Sequence, residues 1–120
     1  MSLFINHTNH PSAKWGTEQL AAARQYGEVQ DLPFPAIDPH LSEAEVLEIA
    51  LAQSEKIINL QPAAVLCQGE YTYTFALVNL LKKHNITVLT ACSERVAVET
   101  VVNGSTKRES SFRFIKFRKY

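Results

Sequence analysis

Five consecutive side chains near the amino terminus can exchange hydrogen bonds or protons: Asn6, His7, Thr8, Asn9 and His10. Amide and hydroxyl groups both donate and accept, and an imidazole titrates near neutral pH. This run could therefore hold a phosphate or a base edge, or move a proton. Gln68-Gly69-Glu70-Tyr71-Thr72 sets a glycine between an apolar run and a helical pattern, where free backbone amides attract anions. Ser93-Glu94-Arg95 offers a guanidinium that can grip phosphate through two parallel bonds, beside a carboxylate that could orient it or activate a hydroxyl. Each segment also has a plain structural reading: turn polarity for the first, a tight turn for Gly69, a surface ion pair of small worth for Glu94 and Arg95. His7 and His10 lack a third ligand, so no metal site is expected. Cys67 and Cys92 read as buried small hydrophobes rather than nucleophiles, and Trp15 and Tyr26 as packing anchors. A lysine-bearing phosphate loop and GxGxxG are both absent, which disfavours a nucleoside triphosphatase or a dinucleotide oxidoreductase.

The elements that must position these residues follow from the pattern. Leu3-Phe4-Ile5 is a short strand running into the Asn6–Pro11 loop. Thr17 can cap a helix with Leu20, Ala21 and Ala23 on its apolar side, and Gly27 suits its exit. Glu28 to Leu32 is a weak strand, and Pro33 and Pro35 make Pro33–His40 a loop. Ser42 with Glu45 forms a capping box for a helix bearing Val46, Ile49, Ala50 and Ile57. Ala63 to Cys67 is an unbroken apolar run, as in a strand covered on both faces. A helix from about Thr72 buries Phe75, Ala76, Val78, Leu80 and Leu81, and Ile86–Thr90 is a further buried strand ending at Ala91-Cys92-Ser93. Asn103-Gly104 then signals a hairpin.

Alternating strands and helices argue for one α/β domain over residues 1–120, with a mainly parallel sheet ordered 2-1-3-4 and helices on both faces. The hairpin, whose basic last strand lies within 103–120, extends the sheet or reaches out as an arm. Ligands of such sheets sit beyond the carboxyl ends of the strands, which selects the loops Asn6–Pro11, Gln68–Thr72 and Cys92–Arg95.

With 120 residues the chain is one domain's length, and its 12 basic and 12 acidic side chains cancel. The cancellation hides a split: residues 1–60 carry 3 basic and 8 acidic side chains, and residues 61–120 carry 9 and 4. A basic half suits an anionic ligand. No apolar run approaches the ~20 residues of a membrane helix. MSLFINHTNH lacks the pattern of a signal peptide, and Cys67 and Cys92 make no disulfide framework, so a reducing cytoplasm is the expected location. In the last strand Phe112 and Phe114 have one parity and Ile115 and Phe117 the other. Either a bulge shifts the phase or both faces are covered, the second by a partner copy.

The opening strand with its Asn/His loop, the Gln68-Gly69-Glu70 loop, Ser93-Glu94-Arg95 with Glu99 downstream, and the ending Phe-Arg-Phe-Ile-Lys-Phe-Arg-Lys-Tyr together resemble small CRISPR-associated accessory proteins of the Csx type, several families of which act as ring nucleases. The resemblance implies a Rossmann-like homodimer in antiviral defence. It would cleave a cyclic oligoadenylate by metal-independent attack of a ribose 2′-hydroxyl, with no cofactor and no DNA or membrane partner. On that reading His7 or His10 transfers a proton, Glu94 or Glu70 activates the hydroxyl and Arg95 clamps phosphate. Asn6, Thr8, Asn9, Gln68, Gly69, Glu70, Thr72 and Ser93 would line the ligand. The same residues would serve a non-catalytic sensor or sequestering protein, and the basic hairpin would serve an RNA or protein interaction module.

Overall fold

The computed structural model describes residues 2–120. Five strands and three α-helices follow one another as β1 (Leu3–His7), α1 (Thr17–Arg24), β2 (Glu28–Asp31), α2 (Glu43–Leu60), β3 (Ala64–Cys67), α3 (Tyr71–Lys83), β4 (Val88–Val102) and β5 (Ser105–Lys119), with a short 3-10 turn at Ser12–Lys14. The sheet order is β2-β1-β3-β4-β5. Pairs β1–β2, β1–β3 and β3–β4 are parallel, and β4–β5 is antiparallel. The protein is therefore an α/β fold on a mixed five-stranded sheet, with the hairpin strand as its antiparallel edge.

Strand alternation divides the core into two layers. Ile5, Val65, Cys67 and Val88 pack against α2 and α3 through Val46, Ala50, Ile57, Tyr73, Leu77 and Leu81. Phe4, Ala64, Leu66 and Leu89 pack on the other face with Trp15, Ala23 and Phe117. All four residues of β3 are buried, as its unbroken apolar run requires of a strand sandwiched between helices.

Local signals explain most element ends. Ser42 accepts from the Glu45 amide while the Glu45 carboxylate accepts from the Ser42 amide, closing the capping box. Thr17 is the first residue of α1 rather than its cap; Gly16 takes that place without any side-chain bond to the free amides. Gly27 is small because a Cβ there would lie 2.5 Å from the Ser2 carbonyl group. Phe75, expected in the core, is 73% exposed, and Tyr73 and Thr74 are buried instead. Tyr73, Leu77 and Leu81, four residues apart, form the face of α3 that packs on the sheet, and Phe75 falls to the side of it.

The largest departure lies in β4. The expected end at Cys92-Ser93 does not occur: the strand runs on through Ser93-Glu94-Arg95 to Val102. Asn103 and Gly104 both adopt positive φ (53° and 77°), the signature of a two-residue turn whose twist matches its strands. A register shift lies between Cys92 and Ser93, where β5 carries the extra residue Ile115. This bulge answers the parity question, because inserting one residue returns Phe117 to the face of Phe114. Their rings meet at 4.9 Å, and Phe117 packs on Phe4 at 5.2 Å.

Candidate functional site

A cleft of about 740 Å³ opens at the carboxyl ends of β1 and β3, beside residues 91–93 of β4. Thr8 and His10 enter it from the loop after β1, Gln68 from the loop after β3, and Ala91 and Ser93 from β4. Lys14, Trp15 and the first residues of α1 form the opposite wall, and Phe112 and Phe114 of β5 overhang it. Since β2 and β3 flank β1 on opposite sides, the cleft borders the point where the sheet order reverses, the usual ligand position in such sheets.

The loop after β1 is built from within. Asn6 is buried; its amide nitrogen donates to the His10 carbonyl at 3.0 Å and to Asp31 at 2.9 Å. Its amide oxygen accepts from the Thr8 hydroxyl at 2.8 Å, and the Trp15 indole also donates to the His10 carbonyl at 3.1 Å. Asn6 is thus a loop organiser that presents Thr8 and His10, rather than a ligand contact. Asn9 lines a separate, smaller hollow with Pro11, Asp31 and Phe34.

His7 leaves the catalytic set. Its ring is fully buried, with Nδ1 2.8 Å from the Leu32 carbonyl and Nε2 2.8 Å from the Tyr73 hydroxyl. A carbonyl only accepts, so Nδ1 carries the proton and Nε2 accepts from Tyr73. Burial pushes the His7 pKa down, holding the ring neutral. This side chain ties β1 to α3 and to the segment after β2. The exposed His10 is the imidazole that reaches the cleft.

The Gln68–Thr72 loop also divides. The Gln68 side-chain oxygen accepts from the Ala91 amide at 2.7 Å and the Thr90 hydroxyl at 3.1 Å, joining the end of β3 to the first residues of β4 beside the cleft. Gly69 lies against its neighbour Phe34, whose ring tip a Cβ there would approach within 2.4 Å unless the ring moved. The start of α3 is not an anion cradle: Glu70 occupies it, accepting from the Tyr73 amide at 2.8 Å and the Thr72 hydroxyl at 2.6 Å. Those two bonds hold the Glu70 carboxyl below its usual pKa. Neither Glu70 nor Thr72 faces the β1–β3–β4 cleft; both border a hollow on the α2 side.

Along β4, Ser93 lines the cleft while Glu94 points to the opposite face, across from Arg113. Arg95 shares the Ser93 face one alternation outward, roughly 7 Å along the strand. It pairs with Phe112 across the ladder and donates to the Ser110 hydroxyl at 3.2 Å. It stands at the outer rim of the cleft rather than inside it.

The cleft wall formed by Lys14, Gly16, Thr17 and Gln19, and the overhang of Phe112 and Phe114, are not among the sequence-selected site residues. The absence of a side-chain cap before Thr17 was the available signal for the first. The second required the length of β4. Among the described residues, no group of three His, Cys, Asp or Glu side chains lies together as a metal-ligand set. No described helix is long and apolar enough to cross a membrane.

The sequence model of the uncharacterized protein MJ1673 family matches residues 2–118. The chain belongs to this family. No curated protein and no solved structure matches it. For this MJ1673-family chain the family match spans the sheet core and all of the hairpin but its last residue, so the overhanging β5 residues lie within the matched region along with the loop after β1.

Proposed function

We propose that the cleft binds a cyclic oligoadenylate and opens it by metal-independent attack of a ribose 2′-hydroxyl, in CRISPR-associated antiviral signalling. The observation that carries this reading is the composition of the cleft. Cationic and hydrogen-bonding groups (Lys14, His10, Thr8, Gln68, Ser93) face two aromatic rings, the exposed Phe112 and the half-buried Phe114, across the sheet's ligand position. Phosphates suit the first set and the unfilled amides at the start of α1; adenine faces suit the second. The sequence resemblance supports the same ligand. The sheet order β2-β1-β3-β4, with helices on both faces, is read here as Rossmann-like.

In the proposed step the 2′-oxygen attacks the adjacent phosphorus and the P–O5′ bond breaks. The products carry a 2′,3′-cyclic phosphate and a 5′-hydroxyl. His10 moves a proton on or off the reacting oxygens, and Lys14 meets the charge that gathers on the phosphorus oxygens. Holding the hydroxyl in line supplies much of the acceleration. Arg95 meets ligand only where it extends past the rim. One cleft of about 740 Å³ matches a single drug-sized ligand, so two copies with clefts facing one another would enclose a whole ring.

A second reading, binding without cleavage, is favoured by one observation. His7, Glu70 and Glu94 all lie outside the cleft, so His10 stands there as its single imidazole. Labelled cyclic tetra-adenylate incubated with the protein decides between the two. A linear product ending in a cyclic phosphate, formed also in excess chelator, supports cleavage. Retained intact ring supports the sensor or sequestering role. Neither retention nor product removes both.

A further inference from the structure

Beyond the bulge, residues 93–102 of β4 and 105–114 of β5 pair only with each other. At 3.4 Å per residue this arm reaches roughly 34 Å. Its effect on shape is large: the radius of gyration is 17.1 Å and the extents are 57 × 39 × 21 Å, where a compact chain of this length would have a radius near ~14 Å. A lone two-stranded hairpin is marginal in water. The outer half, residues 98–102 and 105–109, exposes Val101 (73%) and Val102 and carries Lys107 opposite Thr100, while Arg108 pairs with Glu99 at 3.5 Å and Glu109 lies beside it.

A receptor of opposite character lies on the same molecule. Between the amino ends of α2 and α3 is a groove of about 450 Å³ lined by Val46, Leu47, Tyr71, Phe75 and Ala76, with Glu43 at its rim. Tyr71 and Phe75 are 89% and 73% exposed, and the lining includes no basic side chain. α3 begins directly after β3, and α2 runs back toward the start of β3. The groove therefore opens at the carboxyl end of the sheet, the end from which the arm departs. The chain thus presents an apolar projection bearing Lys107 and an apolar groove bordered by Glu43 at one end, which is what a self-complementary two-fold contact needs.

We propose that the arm tip of one copy lies in the α2–α3 groove of a second copy, reciprocally, with Lys107 of each arm near Glu43 of the facing groove. The clasp rests on the two-copy assembly given above but on none of its chemistry. Such an exchange covers both unpartnered surfaces on each copy.

Sedimentation of the nucleotide-free full chain tests it. The wild type should sediment at twice the 13.5 kDa chain mass. An arm variant (Val101→Asp with Val102→Asp) and a groove variant (Phe75→Asp) should each sediment as single chains. An equimolar mixture should regain the two-chain species, because one intact arm then meets one intact groove. As a milder pair, Lys107→Glu should weaken the dimer and Glu43→Lys in the same chain should restore it. A single-chain wild type, a variant that stays dimeric, a mixture that stays monomeric, or a charge swap that restores nothing would each overturn the clasp. Since no nucleotide is present, failure of ring binding or cleavage leaves these outcomes unchanged.

Discussion

Both ring nitrogens of His7 are committed inside the protein, and this has a consequence for stability. The unfolded chain takes up a proton near the ordinary histidine pKa of 6.5, whereas burial lowers the folded value. Below about pH 6.5 the unfolded state therefore binds more protons, and stability falls as pH falls, by at most about 1.4 kcal/mol per pH unit, until the folded ring titrates. Urea midpoints should drop between pH 7 and 5, and His7→Gln should flatten that slope. His7→Ala should cost about 2–4 kcal/mol, because it leaves Tyr73 and the Leu32 carbonyl unpaired around a void. A neutral cost would show that the buried bonds do not matter. Thiol chemistry gives a second check. Burial pushes the Cys67 thiol up to about 12, while Cys92 is half-buried. A thiol reagent should label Cys92 in the native protein and Cys67 only after denaturation. Sequence alone made the two histidines equivalent, three positions apart in one polar loop. They separate because strand β1 extends through His7, and alternation then turns that ring into the α2–α3 layer.

The short elements were legible where a local rule determines them. The capping box at Ser42, the apolar run of β3 and the Asn103-Gly104 turn each state their conformation within four or five residues. The end of β4 was not, because Ser93, Glu94 and Arg95 are as compatible with a loop as with an edge strand, and only pairing with β5 settles the matter. Phe75 misled for a related reason: a helical repeat marks an apolar face but not which of two adjacent apolar faces meets the sheet. Gly69 illustrates packing that spacing cannot show. Its replacement by alanine would drive a Cβ into the Phe34 ring, which itself packs edge-on to Tyr73 at 5.0 Å. Gly69→Ala should destabilise by about 1–3 kcal/mol, and Phe34→Leu in the same chain should recover part of that loss. If Gly69→Ala melts like the wild type, the close approach is not a constraint.

Across the whole molecule, the acidic first sixty residues supply β2 at one edge of the sheet and the basic second sixty supply β5 at the other, a division that the zero net charge conceals. The parallel order β2-β1-β3-β4 was readable from the alternation of strands and helices, and with it the end of the sheet where a ligand would sit. The composition of that end was only half readable. Thr8, His10, Gln68 and Ser93 were selected and do converge on the cleft, whereas Lys14 and Phe112 reach it through contacts between segments far apart in sequence. The central claim, that this cleft holds a cyclic oligoadenylate, is tested most directly by equilibrium binding of labelled cyclic tetra-adenylate to the wild type and to Lys14→Ala, Phe112→Ala and Lys107→Ala. The account predicts saturable binding, a loss of tenfold or more (about 1.4 kcal/mol) for each of the two cleft substitutions, and little change for Lys107→Ala under conditions where the assembly state is unaltered. Absence of binding, or binding that both cleft substitutions leave intact, would contradict it.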